Sequence, residues 1–216
     1  RLGDRVGLWL SGLLGGIVSS TAVAVATGRI AKRLPERGIR ALQASLIAST
    51  VMYLRILALV WFVNPDYVAQ LWLKLVILTA IGLVFCLLTR APGEADGKQS
   101  VETLRNPFEI RPALVFASLF VLLTILTVLI TRFYGHEGLI VLAGAVGVTD
   151  IDPFILSLAT NADIQQLSIT AILVSMMSNT LAKGIYFGSL APGMRRAALL
   201  RYGAWALLHL PVILIR

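Results

Sequence analysis

Residues 138–158 read GLIVLAGAVGVTDIDPFILSL, an apolar run that carries two aspartates and a proline near its centre. Its length is enough to cross about 30 Å of hydrocarbon as a helix. On a regular helix, however, Asp150 and Asp152 would stand about 200° apart and share no face. The preceding Gly144-Ala145-Val146-Gly147 allows close helix approach or an unwound turn. Asp152 suits an N-cap, and Pro153 the first position of a new half-helix. The run therefore predicts a broken helix inside a membrane. Ser19-Ser20-Thr21, which follows Gly15-Gly16, predicts a second break of the same kind.

The rest of the composition agrees with a membrane setting. Of 216 residues, 57% are apolar and 14% charged, and the mean hydropathy is +0.85. A soluble domain carries about 25% charge. A soluble enzyme and a disordered tail are both excluded. The net charge of +8 would point to nucleic acid in a soluble protein, but here it reads as loop charge beside lipid headgroups. Cys86 is the single cysteine, which excludes an internal disulfide and a cysteine-based metal cage. No P-loop is present, and Ser19-Ser20-Thr21 has no nearby histidine to activate a nucleophile. The sequence thus predicts neither an enzyme nor a bound cofactor.

Seven stretches qualify as spans, at about 6–28, 41–63, 67–89, 112–131, 138–158, 167–190 and 197–215. The fold class is all-α, a polytopic membrane bundle of about seven transmembrane helices with breaks near Ser20 and Asp152. Asn64-Pro65-Asp66 and Asn106-Pro107-Phe108-Glu109 read as helix starts. Arg29, Lys32, Arg33, Arg37 and Arg40 fill one loop, and Arg90, Lys98, Arg105 and Arg111 fill another. The positive-inside rule places both in the cytoplasm, the 64–66 turn outside, Arg1 outside and Arg216 inside. On this threading Arg195 and Arg196 fall outside, against the rule. Lys74, Arg201 and His209 lie nearer span ends and are expected to snorkel, and His136 to sit in a solvated loop. The absence of an initial methionine and the outside start together predict a further helix ahead of Arg1.

An offset of 128 residues lays Thr21 on Thr149, Arg55 on Lys183, and the Asn64-Pro65 turn beside Ala191-Pro192. The chain divides accordingly into a first repeat (1–90, three helices), a cytoplasmic linker (91–111) and a second repeat (112–216, four helices). Internal repeats are a transporter habit, with the site at the repeat interface near mid-membrane. The units 6–89 and 138–215 are expected to superpose in parallel, or antiparallel if a glycine-rich segment is re-entrant.

Three strings carry a resemblance: Gly12-Leu13-Leu14-Gly15-Gly16-Ile17-Val18-Ser19-Ser20-Thr21-Ala22, Asn106-Pro107-Phe108-Glu109-Ile110-Arg111-Pro112-Ala113-Leu114, and Ser178-Asn179-Thr180-Leu181. Together the sequence resembles a bacterial membrane family catalogued as domain of unknown function 4010, over essentially its whole length. The resemblance implies a multi-pass protein of the bacterial inner membrane. It also implies a preceding helix, two four-helix repeats, and an MgtC/SapB-type membrane domain ahead of the chain. By association it points to magnesium or to membrane stress physiology.

Arg55, Asp150, Asp152 and Lys183 fall inside predicted spans, where each charge costs about 2.5–3.5 kcal/mol at a helix centre. Such groups face a bundle interior, pairing or lining a pathway. The expected site gathers Asp150, Asp152, Thr149, Asn179, Ser19, Ser20, Thr21, Lys183 and Arg55 near mid-membrane. Asp150 is the principal carboxylate and Asp152 caps a half-helix. With both aspartates ionised this is an oxygen site suited to Mg²⁺ as substrate, bound by Asp150 and Asp152. With them neutralised, Arg55, Lys183 and two half-helix N-termini favour an anion. The favoured function is a transporter or channel-like permease for a small ion, first of all a divalent cation such as magnesium. The alternatives are an anion transporter using Arg55 and Lys183, and a scaffold, regulatory or lipid-interacting protein without transport. The expected partners are the bilayer, a small ion and a second copy of the chain, with no nucleic acid.

Overall fold

The computed structural model describes residues 3–89, 110–160 and 165–215, with side chains from residues 12, 117 and 167 onward in those segments. The Asn106-Pro107-Phe108-Glu109 start, most of the 91–111 linker, Arg1 and Arg216 lie outside the described residues. Every described regular element is helical, as expected. The α-helices are α1 (Gly3–Arg33), α2 (Gly38–Val63), α3 (Pro65–Leu88), α4 (Ile110–Val146), α5 (Asp152–Ala159), α6 (Gln165–Leu190), α7 (Arg195–Leu207) and α8 (His209–Leu214). Short 3₁₀ turns at Pro35–Arg37 and Pro192–Met194 precede α2 and α7.

The first break is a reversal. Ser19 is extended (φ −161°, ψ 104°), and its Oγ accepts the Ala22 N–H at 3.2 Å, capping residues 20–33 as a separate limb. Residues eight apart on one helix would be about 12 Å apart along its axis. Yet a methyl group on Gly15 would lie 2.6 Å from Val23 Cγ2. The chain has folded back on itself. Gly12 and Gly16 explain the close packing, because a methyl on either would lie 2.7 Å from Ala44 O or Ala48 Cα of α2. The pairs 12–44 and 16–48 rise together, so limb 3–18 runs alongside α2 in the same direction, and limb 20–33 returns. The predicted span 6–28 is thus a helical hairpin whose tip is Ser19.

Asn64 ends α2 and starts α3: its Oδ1 accepts the Asp66 N–H at 3.2 Å, with Pro65 in the first turn. The bundle therefore has two ends, one holding the basic Pro35–Arg37 turn and one holding Asn64.

The second half enters from the Asn64 end. Gly135 has φ 59° and ψ −144°, a conformation that glycine tolerates and a side chain does not. A methyl on Gly138 would lie 2.8 Å from Ile130 Cγ2, so residues 110–134 and 136–146 are antiparallel limbs. Chain 147–151 is then non-helical, and α5 runs back towards Asn64. Asn64 Nδ2 donates to Ala159 O at 3.0 Å, and Tyr67 Oη to Leu158 O at 3.4 Å. The predicted span 138–158 is therefore a second hairpin, open to the opposite end from the first. The sheathing of the neighbouring helices agrees. In α2, all residues from Ala41 to Thr50 are buried, whereas Leu54 and Phe62 are exposed. In α6, Ser168 to Met176 are largely buried, whereas Leu181 and Ile185 are exposed.

Helix α6 returns to the basic end, where Met194 Cγ would lie 2.8 Å from a methyl on Gly38. This overturns the expected threading after residue 132. Arg195 and Arg196 stand beside the 29–40 basic turn, so the positive-inside rule is obeyed in both halves. The two turns share a local form: Leu34 has φ −131° and ψ 79°, and Ala191 has φ −119° and ψ 79°. Helices α7 and α8 cross back together. His209, expected to snorkel, is instead fully buried. Its Nε2 lies 3.0 Å from Tyr53 Oη, which also bonds Thr180 Oγ1 at 2.6 Å. Tyr202 Oη meets Ser45 Oγ at 2.7 Å and Ser49 Oγ at 3.1 Å, and Trp205 Nε1 donates to Leu78 O at 3.2 Å. These bonds satisfy the polar groups of an interior that lipid could not hydrate. Lys74, also expected to snorkel, donates inward to the carbonyls of Val212 and Ile215.

Candidate functional site

The two hairpin tips meet across α2 and α6. At the first tip the C-terminal carbonyls of limb 3–18 face Arg55, whose Nη1 donates to Ile17 O at 3.1 Å and Val18 O at 3.0 Å. A guanidinium there offsets the negative end of a half-helix. Nη2 of the same group donates to Asp152 Oδ1 at 2.7 Å and Oδ2 at 2.6 Å. Arg55 thus ties the start of α5 to the end of the first limb.

The second tip is pinned by α6. Ser178 Oγ donates to Gly144 O at 2.6 Å, and Asn179 Nδ2 to Gly147 O at 2.9 Å and Thr149 O at 3.2 Å. Tyr186 Oη donates to Val148 O at 2.5 Å. Two carbonyl acceptors on Nδ2 fix the amide orientation, and Asn179 Oδ1 is buried with no partner among the described residues. Asp150 Oδ1 accepts the Asp152 N–H at 3.3 Å. The capping role expected of Asp152 therefore falls to Asp150, because Asp152 is held by Arg55.

A cavity of about 690 Å³ lies between the tips. Ser19, Ser20, Thr21, Arg55, Thr149, Asp150, Asp152 and Asn179 all line it. Beyond the tips its wall continues along Ala22, Val25, Ala26 and Arg29 and includes Tyr186. That path leads to the basic end. Lys183 stands just behind the wall, fully buried, with Nζ 2.8 Å from Met52 Sδ; Met52 lines the cavity.

The profile of a family described as Domain of unknown function (DUF4010) matches residues 1–191. The chain belongs to the DUF4010 family. It is also similar to a protein of Aquifex aeolicus (strain VF5) described as uncharacterized, at 27% identity over 190 residues, covering 84% of this chain and 83% of that one. No solved structure matches.

In this DUF4010 chain, eight of the nine expected site residues line one cavity, and Lys183 sits one side chain behind it. The two aspartates are not arranged as a shared cation cage: both oxygens of Asp152 face Arg55. Among the described residues there is no cluster of three or more His, Cys, Asp or Glu. Arg29, Met52, Ser178 and Tyr186 stand at the tips or the cavity wall without being among the expected site residues. Arg29 looked like ordinary loop charge. Tyr186 follows Asn179 by seven residues and Lys183 by three, one helical face, and that spacing was the available signal.

Proposed function

We propose that this multi-pass DUF4010 protein of the bacterial inner membrane is a secondary transporter that moves a small ion by alternating access. The observation that carries the proposal is the meeting of two hairpin tips, entered from opposite ends, around one cavity. Irregular backbone at membrane depth is tolerated where it lines a cavity, and broken helices at a repeat interface are a transporter arrangement.

In this reading each half is a re-entrant hairpin followed by two crossing helices: α1 then α2 and α3, and 136–159 then α6 and α7–α8. Limb 110–134 links the halves. In the same reading the repeats are antiparallel, with both glycine-rich segments re-entrant. Five crossings and two hairpins then replace seven crossings. The offset of 128 supports the pairing, since it lays the Ser19 break on Gly147 and Arg55 on Lys183. The cavity opens towards the basic end, which is the cytoplasmic side by its charge.

Magnesium stays a second reading. It is favoured by the Asp150 carboxylate and the unpartnered Asn179 Oδ1, both oxygen ligands of the type Mg²⁺ accepts. An MgtC/SapB-type domain ahead of the chain belongs to the same reading. Proteoliposomes loaded with a magnesium dye, or supplied with labelled sulfate, phosphate or succinate, test transport directly. Uptake that needs the protein and falls at least tenfold in Arg55→Gln is expected. A properly inserted protein that moves none of these probes overturns the transporter reading and favours a scaffold.

A further inference from the structure

Resting on the transporter reading, we infer that the transported ion is a small oxyanion or carboxylate, seated between the two hairpin tips with Lys183 supplying its counter-charge. Charge is the first ground. Three cations, Arg29, Arg55 and Lys183, face two carboxylates, Asp150 and Asp152, in and just behind the cavity wall. Arg55 and Asp152 neutralise one another as an ion pair. Asp150 is then the one carboxylate left to Arg29 and Lys183, so the region of the cavity carries one positive charge in excess.

The burial of Lys183 is the second and independent ground. It is 0% exposed, no carboxylate among the described residues lies within ion-pair distance, and its ammonium touches a thioether. A charge held in a low-dielectric interior is costly unless an opposite charge comes near. Its helix face brings Asn179 and Tyr186 to the cavity, and Met52, which the ammonium touches, lines the same cavity. An anion at the tips would supply the missing charge.

The half-helices act in the same sense. Limb 20–33 and α5 both start at the cavity, so the positive ends of their dipoles face it. The two negative ends are already engaged: Arg55 takes the carbonyls of Ile17 and Val18, and Asn179 those of Gly147 and Thr149. With the Ala22 and Asp152 N–H groups taken by Ser19 and Asp150, the tips present chiefly hydroxyls to a ligand. Ser20 and Thr21 supply the hydroxyls.

The test uses the full chain with Cys86→Ala and Ala22→Cys, which places a thiol on the cavity wall. Its labelling by an impermeant maleimide is followed at constant ionic strength in a chloride background. Sulfate, phosphate and succinate are the anion probes, and magnesium chloride is the cation probe. At least one anion should slow labelling fivefold or more, and magnesium should not. Lys183→Gln should remove that protection while leaving the rate without anion unchanged, and Lys183→Arg should restore it. The inference is overturned if magnesium alone protects, if no anion protects, or if Lys183→Gln keeps full protection. Protection by an anion without uptake into liposomes would retain the anion site and remove the transporter reading, so the two fail separately.

Discussion

Arg55 and Asp152, 97 residues apart in sequence, form a 2.6 Å ion pair that joins the tips of two hairpins entering from opposite ends of the bundle. The same guanidinium holds the last carbonyls of limb 3–18. One side chain on α2 therefore sets the distance between the two tips, and with it the shape of the cavity.

Breaking that pair should be costly and mending it should be measurable. The side chains are 21% and 17% exposed, so Arg55→Gln or Asp152→Asn alone should cost about 2 kcal/mol, below the roughly 3–5 kcal/mol of a fully buried pair. The double variant should cost less than the sum of the two. A double-mutant cycle on unfolding in detergent measures the coupling; additive losses would mean that the pair contributes nothing.

Two neighbouring glycines should behave differently. A methyl on Gly144 meets nothing within 4 Å, so Gly144→Ala should be nearly silent. A methyl on Gly147 would collide with Ser175 O and Ser178 Cβ of α6, and overpacking of this kind costs about 1–3 kcal/mol. Gly147→Ala should therefore lower the melting temperature and widen the tip, while Gly144→Ala leaves both unchanged. Equal effects in thermal unfolding would contradict the tip packing.

Both breaks were legible in the sequence because Ser19, Asp150, Asp152 and Pro153 are polar caps and a helix starter inside apolar runs. The reversals were not. A kink and a hairpin use the same local residues, and what selects between them is the partner surface: Ala44 and Ala48 receive Gly12 and Gly16 only if limb 3–18 runs alongside α2. Arg195 and Arg196 carried the warning, since a continuous threading put them on the wrong side. The roles of Asp150 and Asp152 were exchanged for a similar reason. Nothing local distinguishes two carboxylates two residues apart; Arg55 does, from another helix.

The revised threading can be read by labelling. Glu36, Asp66, His136 and Gly193 are all exposed turn or near-turn residues. In a Cys86→Ala background, cysteines at 36 and 193 should react only from the cytoplasmic side, and cysteines at 66 and 136 only from outside. A continuous seven-span threading instead puts 36 and 193 on opposite sides. Reactivity of positions 36 and 193 from opposite faces would therefore restore it.

Asp150 separates the two substrate signs most sharply. Its Oδ1 accepts the Asp152 N–H, and asparagine offers the same acceptor, so Asp150→Asn should keep the start of α5. Asp150→Ala removes the cap and should cost about 1 kcal/mol. What asparagine does remove is the negative charge on the cavity wall. A unit charge about 4 Å away is worth roughly 1 kcal/mol in water and more where water is excluded. If the substrate is an anion, Asp150→Asn should therefore tighten binding by about fivefold or more, read as a lower half-saturating anion concentration in the Ala22→Cys protection assay. If the substrate is a divalent cation, the same variant should abolish uptake. Unchanged affinity for anions, together with lost magnesium flux, would decide for the cation.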